Sequence, residues 1–168
     1  MKLARRKFLM RSVAAGLGLV IPTQLQAQML NSRVASLGST LSYHSPTIAA
    51  FVDTILPEDG VTPAASALGV DQDLIEFLLA VPQVGETAII MCDWLDKPGP
   101  TRFSMRSAHQ RLEIVDLIST APVNTMEGWF YTNMRLLAIE FFYAKPEALV
   151  GLELSAAPQP EGYLPPWH

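Results

Sequence analysis

The sequence predicts an all-α protein: a single small helical bundle of about six helices, followed by an extended, proline-rich C-terminal tail. Three observations support this fold class. Apolar residues recur at spacings of three and four in successive segments. No run alternates apolar and polar residues over more than a few positions, as a half-buried strand would. Ser, Thr or Pro precedes most of these segments and Gly or Pro follows them, as is usual at helix ends.

The N-terminal segment, residues 1–27, has the organisation of an export signal. A basic stretch precedes a short, weakly apolar run, and a small residue follows at the usual cleavage position. The run is too short for an ordinary membrane-spanning helix. The signal is carried by Arg5, Arg6, Phe8, Leu9 and Ala27. An arginine pair followed by Phe-Leu is typical of a twin-arginine signal, so we expect export to the periplasm; cleavage and retention as an anchor both stay open.

Folded proteins are the passengers of the twin-arginine pathway. Such a passenger usually carries a cofactor that was inserted in the cytoplasm, or travels with a partner that carries one. The signal therefore raises the question of which case applies to the remainder of the chain.

Composition limits the remainder of the chain to one domain with one core. The 168 residues carry a net charge of −4, and the part after residue 27 holds seven basic and sixteen acidic residues, a net charge of −9. So acidic a domain is a poor candidate for binding nucleic acid or anionic lipid. The lone Cys92 cannot form an internal disulfide, and its apolar neighbours predict a buried, inert thiol.

The predicted helical domain, residues 45–151, follows a linker or mobile arm at 28–44, where no clear periodicity is visible. Its first helix is predicted to begin with Ser45 as N-cap and Pro46 at the first helical position. Pro57 is predicted to end this helix.

Five further helices complete the predicted bundle. They are a short helix from Thr62 to Gly69, one capped by Asp71 or Asp73, one over 84–97, one capped by Ser104, and one opened by Pro122. The helix after Ser104 is predicted to point four apolar side chains inward: Leu112, Val115, Leu117 and Ile118.

The last helix is the most apolar, and its apolar residues spread around most of its surface. Such a helix is either the hub of the bundle or partly covered by another protein. The tail at 152–168 is too rich in proline for a regular helix or an inner strand, and it either lies across a partner or packs on its own bundle. The predicted partner interface comprises Trp129, Phe130, Phe141, Phe142, Tyr143, Tyr163 and Trp167.

No motif in the sequence identifies a catalytic, cofactor-binding or metal site. The three histidines, His44, His109 and His168, have no metal-ligand spacing. The sequence contains no Cys-x-x-Cys-His for covalent haem and no Gly-x-Gly-x-x-Gly for a dinucleotide. We therefore expect no catalytic residue, cofactor or metal in this chain, and a cofactor carried by a partner.

Two groups of ionisable residues have ordinary structural explanations. His109 and Glu113 are four residues apart, which places them together on a solvated helix face. Asp53, Glu58 and Asp59 lie near a proline, where carboxylates commonly serve as caps and turn acceptors.

Two parts of the sequence follow the pattern of a known family. The first reads TIAAFVDTILP over 47–57 and continues with Asp59 and with 62–65. The second comprises Tyr143, Pro146, Glu147, Gly151 and the closing 158–163. In order and spacing these motifs resemble the gluconate 2-dehydrogenase subunit 3 family, and the resemblance spans most of the chain after the export signal.

The resemblance implies the non-catalytic small subunit of a periplasmic, membrane-associated sugar or sugar-acid dehydrogenase. The large subunit of such a complex is a flavoprotein of the glucose–methanol–choline type, which binds FAD, oxidises an alcohol and usually passes electrons to a cytochrome c. The small subunit then acts as an escort in folding and co-export. The resemblance identifies no catalytic residue.

Two other functions stay open. A free-standing periplasmic enzyme would use His109 or His44 together with carboxylates. A membrane-anchored helical adaptor would rely on an uncleaved N-terminal segment and would have no dehydrogenase partner.

Overall fold

A computed structural model describes residues 23–150 except 98 and 100, with side chains described at 28 and from 31 onward. This part of the chain contains five α-helices and no strand, which confirms the all-α prediction. The helices are α1 (Thr23–Ile55), α2 (Val70–Ala80), α3 (Pro82–Asp96), α4 (Ala108–Ser119) and α5 (Met126–Tyr143). Three 3₁₀ turns lie at Ala65–Leu68, Phe103–Met105 and Pro146–Leu149.

The predicted export signal and tail fall mainly outside this range. Arg5, Arg6, Phe8, Leu9 and the tail at 152–168 lie outside the described residues. The backbone of Ala27 belongs to the first turns of α1.

The linker predicted over 28–44 is wrong, because α1 runs through it as helix. Buried residues continue at spacings of four and three across the supposed boundary: Leu37, Leu41, His44, Ile48 and Phe51. Serine, threonine and glycine between the first of these residues conceal the period in the sequence. The helix is stabilised by this buried stripe rather than by the local propensity of its residues.

The predicted helix start at Ser45 is wrong for the same reason. Pro46 lies inside α1, where its missing N–H leaves the carbonyl oxygen of Ser42 without an intrahelical partner. Both residues are exposed, so water can hydrate that oxygen. The solvent-facing position makes an interior proline tolerable here.

Gly85, near the start of α3, lies where α1, α2 and α3 meet. A Cβ atom at this position would lie 2.6 Å from the carbonyl oxygen of Leu78 and 3.2 Å from Cδ2 of Leu37. Beside this contact, the Arg33 side chain of α1 donates a hydrogen bond from Nε to Oε1 of Glu86 at 2.7 Å. The segment expected to be an arm is therefore packed on the start of α3.

The central helix of the bundle is α1, which contacts all four other α-helices. The last helix, α5, also contacts all four other α-helices, so it shares the centre of the bundle with α1. Helix α5 packs on α2, α3 and α4, and Phe130 meets Phe51 of α1 with ring centroids 5.1 Å apart. Its core side is a stripe at every fourth residue: Phe130, Met134, Ala138 and Phe142.

Helix α4 begins later than predicted and buries fewer leucines. Ser107, not Ser104, is its N-cap, with a capping box to Gln110. The residues before it form a 3₁₀ turn that buries Phe103. The predicted inward positions of Val115 and Ile118 are confirmed, whereas Leu112 and Leu117 are exposed. The two exposed leucines lie on opposite flanks of the buried stripe, about 140° apart at 100° per residue.

Likewise, α5 begins at Met126 rather than at Pro122. Thr125 is the N-cap, and its hydroxyl accepts a hydrogen bond from the Gly128 N–H at 3.2 Å. A side chain that can accept this bond defines the helix start better than the earlier proline does.

Gly85→Ala is expected to destabilise the protein by about 1–3 kcal/mol, because the new methyl group overlaps a backbone oxygen that cannot move alone. Gly38→Ala is the matched control on α1: its Cβ would lie 3.6 Å from Leu79, an ordinary contact, and alanine favours a helix over glycine. Urea unfolding should show a lower free energy of unfolding for Gly85→Ala and no decrease for Gly38→Ala. An equal decrease in the two variants would contradict the close approach at Gly85.

Candidate functional site

A buried polar cluster joins the middle of α1 to the end of α3. His44 and Thr47 of α1 are 2% and 0% exposed and face Asp93 and Asp96 of α3. These residues come together because α1 continues as helix past its proline and carries both polar side chains to the α3 side. In the sequence His44 is a candidate only for the alternative of a free-standing enzyme, and no local pattern indicates the cluster.

Asp96 is the centre of this cluster. Its carboxylate accepts hydrogen bonds from the Thr47 hydroxyl, with Oγ1 3.0 Å from Oδ1 and 3.1 Å from Oδ2. The same Oδ1 accepts a bond at 3.0 Å from the N–H of Phe103, whose side chain is fully buried. One carboxylate thus connects α1, α3 and the 3₁₀ turn before α4.

His44 lies between the two carboxylates without a close bond to either. Its Nε2 is 3.4 Å from Oδ1 of Asp93, and its Nδ1 is 3.7 Å from Oδ2 of Asp96. The Nδ1 atom is buried and has no hydrogen-bond partner in the described structure. A side chain this well buried offers no surface to a substrate, which argues against a catalytic role for His44.

The residue before the histidine covers the cluster on the solvent side. The Tyr43 ring meets the His44 ring edge-on, with centroids 5.0 Å apart. The Arg102 guanidinium lies 4.0 Å above the centre of the Tyr43 ring, a cation–π arrangement. These contacts add a further link from α1 to the loop between α3 and α4.

Cys92 lies one turn before Asp96 and is buried, which confirms the prediction from its neighbours. Burial, together with the smaller effect of the negative charges of Asp96 and Asp93, raises the pKa of its thiol to about 12. The thiol therefore stays protonated at neutral pH, and a protonated thiol is a poor nucleophile.

The pair of His109 and Glu113 lies on an open helix surface. The two side chains are 81% and 67% exposed, with Nδ1 3.6 Å from Oε1. This confirms the predicted solvated helix face. An ion pair so exposed contributes little to stability and lacks the enclosed setting in which acid–base pairs are tuned.

Two of the three carboxylates near Pro57, Asp53 and Asp59, serve caps and turns, as predicted. Asp53 accepts hydrogen bonds at 2.7 Å from both the N–H and the hydroxyl of Ser66. Asp59 accepts bonds from the N–H groups of Thr62 and Val61, and these bonds lower the pKa of its carboxyl group. Both side chains fix the loop between α1 and α2.

The described residues contain neither a group arranged as a metal site nor a helix able to span a membrane. No group of three or more His, Cys, Asp or Glu residues between 23 and 150 is arranged to hold a metal ion. No helix in the described range combines the length and the hydropathy needed to span a membrane.

The predicted partner interface on α5 needs correction. Phe130 and Phe142 are 1% and 5% exposed and belong to the core, so the prediction that they face a partner is wrong. Trp129 and Phe141 are half-buried, and Phe141 lies against Phe77 of α2 with ring centroids 6.3 Å apart. Tyr143 is exposed, and Tyr163 and Trp167 lie outside the described residues.

A second stripe on α5, which we name the outer stripe, lies opposite its core side. It comprises Trp129, Thr132, Leu136, Ile139 and Tyr143. Leu136, at its middle, is 62% exposed and lies about 180° from the centre of the core stripe at 100° per residue. The predicted interface did not include Leu136 or Ile139, although their alternating spacing of three and four is visible in the sequence.

In the comparison with known proteins, one family model matches the chain. The family model described as gluconate 2-dehydrogenase subunit 3 matches residues 43–152, well over half of the chain. The matched range begins within α1, one residue before His44, and includes the buried polar cluster and the outer stripe. No curated protein and no solved structure matches the chain.

Asp96→Ala is expected to destabilise the protein by about 2–4 kcal/mol, because it leaves the Thr47 hydroxyl and the Phe103 N–H buried without an acceptor. Asp93→Ala is the matched control, since this neighbouring carboxylate is 56% exposed and accepts no hydrogen bond in the described structure. In thermal and urea unfolding, Asp96→Ala should lose much more stability than Asp93→Ala. Similar losses of stability in the two variants would show that Asp96 is not the centre of the cluster.

The raised pKa of the Cys92 thiol predicts that the folded chain loses stability at alkaline pH. Its pKa in the folded chain, about 12, lies above the ordinary 9.0, so the folded state holds the proton more tightly. Its contribution is complete below pH 9 and declines as pH rises toward 12, by up to about 1.4 kcal/mol per pH unit. Cys92→Ala should therefore unfold with a shallower pH dependence than the unaltered chain above pH 9. Parallel pH profiles of the free energy of unfolding for the variant and the unaltered chain would contradict a raised thiol pKa in the folded state.

Proposed function

The chain belongs to the gluconate 2-dehydrogenase subunit 3 family, and from this premise we propose that it is the escort and structural subunit of a periplasmic FAD-dependent sugar or glucoside dehydrogenase. The family makes it the small subunit of a multi-subunit dehydrogenase, and so part of a hetero-oligomer. The large subunit of our proposal is a flavoprotein of the glucose–methanol–choline type. It binds FAD, oxidises the sugar and passes electrons to a cytochrome c.

The placement of polar groups supports a non-catalytic role. His44 is enclosed by the bundle, and the Cys92 thiol stays protonated. His109 and Glu113 lie on an open surface, where water screens their interaction. Because the sequence also lacks a dinucleotide-binding glycine motif, the proposal assigns the flavin to the large subunit.

The N-terminal sequence supports the escort part of the proposal. Arg5 and Arg6 with Phe8 and Leu9 are typical of a signal read on folded proteins, and Ala27 is the expected cleavage position. A flavoprotein that must receive its cofactor in the cytoplasm can then leave as a folded complex with this chain. The observation that carries the proposal is the family match over 43–152.

Affinity purification of the tagged chain from the periplasm tests the proposal. We expect a larger subunit to co-purify and to show flavin absorption near about 450 nm, the region expected of a bound flavin. Sugar-dependent reduction of an artificial acceptor should follow the complex and not the isolated small subunit. A colourless chain that elutes alone would overturn the proposal.

Exchange of the arginine pair tests the co-export. In Arg5→Lys with Arg6→Lys, the large subunit should stay in the cytoplasm while the two chains still associate there. Arg11→Lys is the control within the same basic stretch and should leave export unchanged. Normal export of the large subunit with the double variant would contradict the escort role. N-terminal sequencing of the exported chain decides between a start at Gln28 and a retained anchor.

A further inference from the structure

His44 is a buried titratable side chain that the proposed function does not use. It is 2% exposed and lies between two carboxylates of α3. Nε2 is 3.4 Å from Oδ1 of Asp93, and Nδ1 is 3.7 Å from Oδ2 of Asp96. The Nδ1 atom is buried and has no hydrogen-bond partner in the described structure, although buried polar atoms are normally bonded.

The hydrogen-bonding capacity of the ring explains this missing bond. A neutral imidazole has one N–H donor and one acceptor nitrogen, whereas an ionised carboxylate only accepts hydrogen bonds. With the proton on either nitrogen, the lone pair of the other nitrogen faces a carboxylate oxygen. Only the protonated ring has an N–H on both sides and can donate to Asp93 and Asp96 together.

The two carboxylates differ in the hydrogen bonds that they already accept. Asp96 has a side chain that is 14% exposed, and it accepts bonds from the Thr47 hydroxyl and the Phe103 N–H. Asp93 has a side chain that is 56% exposed, and it accepts no hydrogen bond in the described structure. A protonated His44 therefore gives Asp93 a partner and connects it to the cluster around Asp96.

The charges around His44 favour a positive ring, whereas burial opposes it. Two carboxylates lie within 4 Å of its nitrogens, a distance at which opposite charges attract strongly. Arg102 lies against the Tyr43 ring, and no ion pair joins it to either aspartate in the described part of the chain. The Cys92 thiol on the same helix is uncharged at neutral and acid pH. Both negative charges are thus available to the ring.

We propose that His44 is a pH sensor that binds α1 to α3 when it becomes protonated. On acidification the ring gains its second N–H, and both contacts shorten by less than about 1 Å to charge-assisted hydrogen bonds of about 2.7–2.9 Å. Histidine is the side chain whose charge ordinarily changes between about pH 5 and 8, so the contact responds in that range. The folded chain then binds this proton more tightly than the unfolded chain, so the added stability is present at acid pH and is lost as pH rises.

The proposed function supplies a source of protons, and this part of the inference rests on it. Oxidation of an alcohol to a carbonyl releases two electrons and two protons. A flavin that passes both electrons to a cytochrome c releases both protons to the surrounding water. A dehydrogenase of this kind acidifies its own surroundings, where a subunit that becomes more stable at acid pH keeps its fold.

A matched pair of histidine variants tests the sensor. His44→Gln keeps a polar side chain that cannot gain a charge, and His109→Gln removes a histidine that is 81% exposed. Urea unfolding of the full-length chain at about pH 8 and about pH 5.5 gives the folding equilibrium constant of each variant. We expect acidification to favour folding of the unaltered chain and of His109→Gln at least about tenfold more than folding of His44→Gln.

Carboxylate variants test the same contact without changing a buried residue. Asp93→Asn and Glu113→Gln each remove a negative charge that faces a histidine nitrogen, at 3.4 and 3.6 Å, and both side chains are more than half exposed. Asp93→Asn should reduce the effect of acidification to about threefold or less, whereas Glu113→Gln should leave it at about tenfold. This pair keeps the test decisive even where His44→Gln fails to fold.

Three results would overturn the sensor. The first is an equal response of His44→Gln and the unaltered chain to acidification. The second is a response of opposite sign, in which acid destabilises the unaltered chain relative to His44→Gln and so shows that burial excludes the charged ring. The third is a response of Asp93→Asn as large as that of Glu113→Gln. All these measurements use the chain alone, so failure to recover a flavoprotein would overturn the proposed function and leave them unaffected.

Discussion

The packing of α1 against α3 is the interaction on which the rest of the bundle depends. At one end the absence of a side chain at Gly85 lets Leu37 approach closely. At the other end Asp96 accepts hydrogen bonds from Thr47 and from the backbone of Phe103. Because α1 also contacts α2, α4 and α5, fixing it relative to α3 fixes the positions of all the other helices.

Helix α5 is apolar on two sides, and the bundle buries one of them completely. This side is the stripe of Phe130, Met134 and their neighbours at every fourth residue. On the opposite side Leu136 and Tyr143 are exposed, whereas Trp129 and Ile139 are half-buried. The bundle therefore covers this second side only in part.

Features that depend on a few neighbouring residues could be predicted from the sequence. The all-α class, the end of the short helix at Gly69 and the turn role of Asp59 are of this kind. The helix through 28–44 could not be predicted in this way, because it depends on the burial of Leu37 and Leu41 against distant residues. Nor could composition separate the two stripes of α5, since both are largely apolar and the packing of all the other helices decides which one is buried.

The distribution of side chains suits association better than catalysis. An enzyme needs polar groups at a surface that a substrate can reach, yet the polar groups around Asp96 are enclosed and serve to hold three elements together. An exposed apolar stripe gains free energy only when another surface covers it. Leu136 is an exposed apolar group of this kind. If our proposed function holds, the stability of the assembled dehydrogenase, rather than its turnover, is the quantity that should respond to changes in this chain.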